Sequence, residues 1–224
     1  MNFLKKIGKR IGSTVKKIGK NIYNTVNKIG KTISNISKVG EAVKKINATE
    51  ALMAQIARAS YNNGPDIIGP YRLIKNYSNS HHLLYSGNNQ LIISFRGTKE
   101  FKDIGTDIQL IVGKESESER FNNDLQYYDE IRETWPSKNI ILTGHSLGGS
   151  IVLYIATKRN IYKGYAFNPG VSFSTNLNSP NVDIIRTTGD VMSMLSHFKD
   201  SKANIKNIDN SNLFTAHTVK NFIN

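Results

Sequence analysis

The segment spanning residues 139–159 constrains the fold of this chain more than any other. It begins with the short apolar run NIILT at 139–143, continues through GHSLGG at 144–149, and ends in a stretch with helical spacing and no helix breaker. This order predicts a buried strand, a sharp turn and a helix. In that context G-x-S-x-G is typical of a nucleophile elbow, where the turn strains a serine backbone and exposes its hydroxyl. We therefore expect Ser146 to be an exposed nucleophile.

A serine hydroxyl is a weak nucleophile unless an imidazole accepts its proton and an acid orients that imidazole. Where such an elbow occurs, the acid and then the histidine follow the serine along the chain. Residues 181–187 read as a later strand that runs into a turn at Gly189-Asp190. Asp190 is therefore the predicted acid, whereas Asp183 lies inside the strand and is expected to point elsewhere.

Five histidines compete for the role of the base. Only His197 and His217 follow Asp190. His197 lies only seven residues after Asp190, within an apolar run. His217 has room to return to the serine, so it is the predicted base, with His197 in reserve. His81 and His82 precede the serine in a predicted hairpin and read as surface residues. His145 adjoins the serine and is expected to pack or to support the site by hydrogen bonding.

Three motifs in this order resemble the fungal-type class 3 lipases: FRGT at 95–98, GHSLGG at 144–149 and GD at 189–190. The resemblance runs from about residue 47 to the C-terminus and includes the alanine-rich helix predicted at 51–61. It implies a three-layer α/β-hydrolase with a mainly parallel sheet over residues 47–224. It also implies an oxyanion hole made by the backbone N–H and hydroxyl of Thr98 together with the amide of Leu147.

The chain departs from the family pattern in two places. Ile104 stands where the family has a tryptophan, and the usual HxGF stretch is not recognisable near Arg120-Phe121. The domain is also short for a full lipase, which implies a small lid. The predicted chemistry needs no metal or cofactor, and the absence of cysteine excludes disulfides, thiol nucleophiles and cysteine-ligated metals.

The positive charge of the chain is concentrated at its start. The net charge is +13, and residues 1–47 carry twelve Lys or Arg and a single acid, a balance of +11 that leaves +2 for the remainder. An eleven-residue repeat covers 7–17, 18–28 and 29–39. Eleven residues nearly complete three helical turns, so the repeated Ile and Val residues form one stripe. We therefore expect residues 1–46 to form a basic amphipathic helical arm.

A helix with an apolar stripe and a lysine-rich polar face is typical of segments that lie in a membrane interface. Two other roles remain open for the arm: packing on its own domain or self-association, and binding to nucleic acid. Nucleic-acid binding is less favoured because only Phe3 and Tyr23 could stack on bases. No uninterrupted apolar stretch follows the first basic residues, so neither a signal peptide nor a transmembrane helix is expected.

The sequence therefore predicts a serine hydrolase of lipase or phospholipase type, in which the arm brings the enzyme to an anionic membrane surface. Family resemblance and arm together indicate an acyl ester of a membrane glycerolipid as substrate. The alternative is a membrane-lytic or membrane-anchoring protein with an accessory hydrolase domain, and the third hypothesis is a nucleic-acid-binding arm on a hydrolase. Oligomeric state is left open; membrane association is expected, with secretion and virion association both open.

Overall fold

The computed structural model describes residues 46–98, 115–170, 180–190, 204–209 and 218–223. These residues form one eight-stranded sheet whose strands are arranged in the order of the sequence. The strands are β1 Ile67–Ile68, β2 Tyr71–Leu73, β3 His82–Gly87, β4 Gln90–Phe95, β5 Asn139–His145, β6 Lys163–Phe167, β7 Val182–Thr187 and β8 Asn204–Ile208. The helices are α1 Ala48–Ala59, α2 Glu115–Thr134 and α3 Leu147–Lys158, with 3-10 turns at Ser60–Asn62, Lys75–Tyr77 and Val219–Phe222.

The sheet is antiparallel at one side and parallel over the rest. Strands β1 to β4 pair antiparallel with their neighbours, whereas β4 to β8 all run parallel. The carboxyl ends of β4 to β8 therefore meet at one edge, here called the carboxyl edge, and their starts define the amino edge. Ligands of open α/β sheets bind outside the carboxyl ends of the strands.

Helices cover both faces of the sheet because its strands are apolar on both sides. Along β4, Leu91 and Ile93 pack in one core with α2 and α3, while Ile92 packs in a second core with α1. Polar side chains on the α1 side are satisfied by the helix: the Ser94 hydroxyl donates to the Ile56 carbonyl at 3.0 Å. The expected three-layer α/β architecture with a mainly parallel sheet is confirmed.

Helix α1 begins at a reciprocal cap. The Asn47 side chain accepts from the Glu50 amide and the Glu50 carboxylate accepts from the Asn47 amide, both at 2.8 Å. Glu50 also pairs with Lys206 of β8 at 2.5 Å, which fixes the helix start against the sheet. The helix predicted at 51–61 is thus confirmed, continuing from α1 into a 3-10 turn. Apart from Ile46, the predicted arm lies outside the described residues.

The other predicted elements follow the sequence closely. The apolar run at 139–143 belongs to β5 and the helical pattern after the glycines belongs to α3, while 181–187 contains β7. Within the described ranges, no helix combines the length and hydrophobicity needed to cross a bilayer.

Candidate active site

Ser146 occupies a strained backbone position between β5 and α3. Its φ is 58° and its ψ is −124°, a conformation that side-chain-bearing residues rarely adopt and that costs roughly 1–3 kcal/mol. Three backbone hydrogen bonds hold it there: the Ser146 amide donates to the Phe167 carbonyl at 3.0 Å, and its carbonyl accepts from the amides of Ser150 and Gly170 at 3.1 Å. The predicted sharp turn at the serine is therefore present.

Two glycines let the neighbouring segments approach this turn. A Cβ on Gly148 would lie 2.1 Å from the Phe95 carbonyl oxygen, and one on Gly144 would lie 2.3 Å from the Gly148 carbonyl carbon. Phe95 and Gly144 are also direct neighbours in the parallel β4–β5 pairing. The first turn of α3 thus rests on the end of β4, and the loop at 96–98 leaves β4 beside the elbow.

The expectation that Ser146 is exposed is wrong, since only 1% of the residue is accessible. Loops from both sides close on the elbow. A Cβ on Gly97, after β4, would meet the His145 carbonyl oxygen at 2.7 Å, and one on Gly170, after β6, would lie 3.9 Å from the Leu147 amide nitrogen. The sequence pattern locates the turn, but it does not report how closely the flanking loops cover it.

The segment 96–98, here called the oxyanion loop after the role expected of Thr98, packs against Tyr61. The Tyr61 hydroxyl lies 2.9 Å from Nδ1 of His145, and a Cβ on Gly97 would lie 2.1 Å from the same hydroxyl. Burial raises the pKa of Tyr61, so the hydroxyl stays protonated. His145 is buried and bonded to Tyr61, in agreement with the supporting role expected for it. Thr98 is exposed at the end of this loop.

Asp190 lies in a turn directly after β7. Its amide donates to the Thr187 carbonyl at 3.2 Å, and 1% of the residue is exposed. The Asn168 side chain, after β6, accepts from the Thr187 amide at 2.9 Å and ties the two loops together. Asp183 instead forms an ion pair with Lys163 at 2.8 Å, so the expectation that it points away from the site is confirmed.

The predicted site residues thus all follow the carboxyl end of a strand. Thr98 follows β4, Ser146 and Leu147 follow β5, and Asp190 follows β7. His217 and His197 lie outside the described residues. The segment after His217 is anchored, because Phe222 is fully buried with its ring centroid 5.1 Å from that of Phe167, the last residue of β6. The choice of base stays a prediction.

One buried cluster was missed by the sequence analysis. His82, expected at the surface, is only 9% exposed; its Nδ1 lies 3.2 Å from an oxygen of Asp124, and its ring stacks on Tyr127 at 3.5 Å. The surface assignment is wrong because α2 covers the start of β3. His81 is exposed, as predicted. His82 and Asp124 are 42 positions apart, and no local pattern connects them.

Among the residues that the structure describes, no group of three or more His, Asp or Glu side chains is placed to hold a metal ion.

A strained serine between strand and helix, at the carboxyl edge of a mainly parallel sheet covered on both faces, is the arrangement of the α/β-hydrolases. Solved structures agree. The Lip2 lipase from Yarrowia lipolytica has a TM-score of 0.51 at 13% identity, covering 74% of this chain and 82% of that chain. A mutant form of MDLA from Penicillium cyclopium has a TM-score of 0.50 at 16% identity, covering 67% and 74%. At these identities the likeness concerns the fold.

A family model described as Mbeg1-like matches residues 74–166, a range that includes both the FRGT motif and the serine elbow. No curated protein sequence matches the chain significantly. The α/β-hydrolase fold and the resemblance to class 3 lipases are thereby confirmed.

Proposed function

We propose that this protein is a serine hydrolase of carboxylic esters, of the lipase or phospholipase type. The observation that carries the proposal is the strained backbone of Ser146, held by three backbone hydrogen bonds at the carboxyl edge of the sheet. Strain at such a position persists only where the surrounding structure imposes it, and it clusters at active sites. A structural serine in an ordinary glycine-rich turn needs no such conformation.

In the proposed mechanism the Ser146 oxygen attacks the ester carbonyl while His217 accepts the hydroxyl proton. The tetrahedral intermediate collapses, and His217 passes the proton to the departing alcohol; water then releases the acyl group by the same steps. Asp190 orients His217 and stabilises the imidazolium.

The oxyanion hole is assigned to Thr98 and to the amide of Leu147. Leu147 is the first residue of α3, so the positive end of the helix dipole lies where negative charge develops. The oxyanion loop leaves the end of β4 beside this helix start, because Gly148 allows contact with the Phe95 carbonyl. Two donors from neighbouring strands can then converge on one oxygen.

The substrate class we propose is an acyl ester of a membrane glycerolipid, either a phospholipid or an acylglycerol. Two observations support it: the fold is shared with a protein described as a lipase, and residues 1–47 carry +11 of the +13 net charge. Each Lys or Arg near an anionic leaflet contributes roughly 1 kcal/mol of attraction. The arm would therefore deliver the enzyme to its substrate.

A soluble p-nitrophenyl butyrate assay tests the chemistry. Ser146→Ala is expected to lower kcat by about 10⁶-fold, because the nucleophilic oxygen is deleted. Ser94→Ala is the matched control: it removes another buried hydroxyl, bonded to the Ile56 carbonyl, and should cost only about 1 kcal/mol of stability. Equal turnover by wild type and Ser146→Ala would refute the serine mechanism.

Deletion of residues 1–46 tests the role of the arm. The truncated enzyme should keep its kcat/KM on p-nitrophenyl butyrate but lose most activity on anionic liposomes, and high salt should reproduce part of that loss. A peptide of residues 1–46 should become helical when anionic vesicles are added. If the truncated enzyme hydrolyses liposomes as fast as the full chain at low salt, the arm does not target membranes.

The remaining alternatives have separate signatures. Release of vesicle contents by the Ser146→Ala variant at the wild-type rate would favour the membrane-lytic protein over the enzyme. Competition by duplex DNA against liposomes would favour nucleic acid as partner of the arm, because phosphate-dominated binding depends on the same cations.

A further inference from the structure

Arg120 of α2 reaches the end of the strand that carries the oxyanion loop. One terminal nitrogen of its guanidinium donates to the carbonyl of His81 at 2.9 Å and to that of Arg96 at 3.3 Å. The Arg96 amide itself donates to the His81 carbonyl at 2.9 Å. Both peptide groups of Arg96 are therefore held, two residues before Thr98.

Asp124 holds the guanidinium in this orientation. Its Oδ2 accepts from Nε of Arg120 at 2.5 Å, one helical turn away on α2. Asp124 is 1% exposed, so the charge that it carries is balanced by Arg120 rather than by water. With Nε bound to the carboxylate, a terminal nitrogen of the planar guanidinium is directed at the two carbonyls.

His82 completes the arrangement, and the roles of its two ring nitrogens follow from their partners. Oδ1 of Asn79 accepts from the amides of His81 and His82 at 2.7 and 3.1 Å, which fixes the side-chain amide of Asn79. Its Nδ2, a donor only, then lies 3.0 Å from Nε2 of His82. Nε2 accepts this bond, and Nδ1 donates to the second oxygen of Asp124.

We propose that Arg120, held by Asp124 and His82, is a positioning residue of the oxyanion hole. The inference rests on the proposed function, since it assigns a role relative to Thr98 and Ser146. The oxyanion loop is then fixed from two sides, by Tyr61 against Gly97 and by Arg120 at the Arg96 carbonyl. Without Arg120 the Arg96 carbonyl loses its guanidinium donor and only the Arg96 amide stays bonded on that side, so the donor at Thr98 loses its fixed position.

Such a role predicts a specific kinetic signature. Oxyanion donors act at 2.7–3.1 Å from the oxygen that becomes charged, and they stabilise the transition state more than the bound ester. A displaced donor therefore lowers kcat while leaving KM nearly unchanged. A misplacement of about 1 Å is enough for effects on the order of 10²-fold.

Arg132 supplies a matched control on the same helix. Its guanidinium donates to the Lys138 carbonyl at 2.8 Å, next to the start of β5 at the amino edge. Arg120→Met and Arg132→Met each remove an arginine that bonds to the backbone. Urea unfolding should show that both variants lose stability, whereas on p-nitrophenyl butyrate only Arg120→Met should lose kcat, by roughly 10- to 100-fold with KM within about twofold.

Two further measurements keep the test decisive. Arg120→Lys, which preserves a cation and is expected to fold, should have a kcat between those of the wild type and Arg120→Met. Butylboronic acid, which forms a tetrahedral adduct on an active serine, should bind Arg120→Met more weakly by the same factor as the fall in kcat/KM.

The outcomes separate this inference from the proposed function. If the wild type neither hydrolyses the ester nor binds the boronic acid, the proposed function fails and the positioning role fails with it. If the wild type is active but Arg120→Lys and Arg120→Met match it in kcat, or if Arg132→Met loses kcat equally, the positioning role alone is overturned.

Discussion

The two edges of the parallel sheet are built differently. At the amino edge, the β3–β4 turn places Asn88 and Asn89 at φ values of 48° and 61°, a region that asparagine tolerates well. At the carboxyl edge, the serine between β5 and α3 adopts a φ of 58° and a ψ of −124°. Polar groups such as Asp190 are buried at this edge. The asparagines at the amino edge suit their backbone conformation, whereas Ser146 is strained by its own. This strain marks the edge that we propose as the active site.

The largest expected effect is the loss of catalysis when a member of the proposed triad at the carboxyl edge is removed. His217→Ala should lower kcat by about 10⁶-fold and Asp190→Asn by about 10⁴-fold, because each removes a member of the proposed triad. His197→Ala should leave kcat close to that of the wild type. Steady-state kinetics on a soluble ester checks this, and an inactive His197→Ala beside an active His217→Ala would move the base to His197.

A second prediction concerns the close contacts at the carboxyl edge. Gly148→Ala would place a methyl group 2.1 Å from the Phe95 carbonyl oxygen, a backbone atom that cannot move aside. We expect a loss of about 3 kcal/mol in urea unfolding, together with reduced turnover. Gly164→Ala is the control, because the three atoms nearest to its methyl group would be side-chain atoms, the closest at 3.0 Å. Equal losses in the two variants would contradict the proposed tight junction between α3 and β4.

A smaller effect is expected when the hydroxyl of Tyr61 is removed. Tyr61→Phe removes the hydrogen bond to Nδ1 of His145 and should cost about 1–2 kcal/mol of stability. Because Tyr61 also packs on Gly97, kcat should fall severalfold. At the amino edge Tyr71→Phe removes a 3.3 Å hydrogen bond to Gln90 and should leave kcat unchanged. A greater kcat loss in Tyr71→Phe than in Tyr61→Phe would reverse the comparison.

The smallest effect measures the strain itself. Glycine at position 146 relieves a backbone cost of roughly 1–3 kcal/mol but adds about 0.5–1 kcal/mol of entropy cost on folding. Ser146→Gly should therefore be more stable than Ser146→Ala by about 1 kcal/mol, although both are inactive. Asn89→Gly should change stability by only about 0.3 kcal/mol, since asparagine tolerates its conformation. If Ser146→Gly is no more stable than Ser146→Ala, the serine is not strained.

Much of the fold could be predicted because hydrophobic periodicity and glycine spacing are local properties. These patterns predict the strand, turn and helix around Ser146, and the resemblance to class 3 lipases implies the α/β-hydrolase sheet. The burial of His82 and its contact with Asp124 could not be predicted, because they depend on how α2 packs across the sheet. The burial of Ser146 depends likewise on loops after β4 and β6, whose approach no local pattern records. The roles of Asp190 and His217 stay predictions.

The most direct test of Ser146 as the nucleophile is the site at which a fluorophosphonate reacts with the intact protein. Such a probe forms a covalent bond only with an activated serine, and its phosphorus then resembles the tetrahedral intermediate. Tryptic mass spectrometry is expected to find one adduct, on Ser146. The adduct should not form when the protein is heat-denatured before labelling, nor in His217→Ala. No adduct, or an adduct on another serine such as Ser150, would contradict the assignment of Ser146 as the nucleophile.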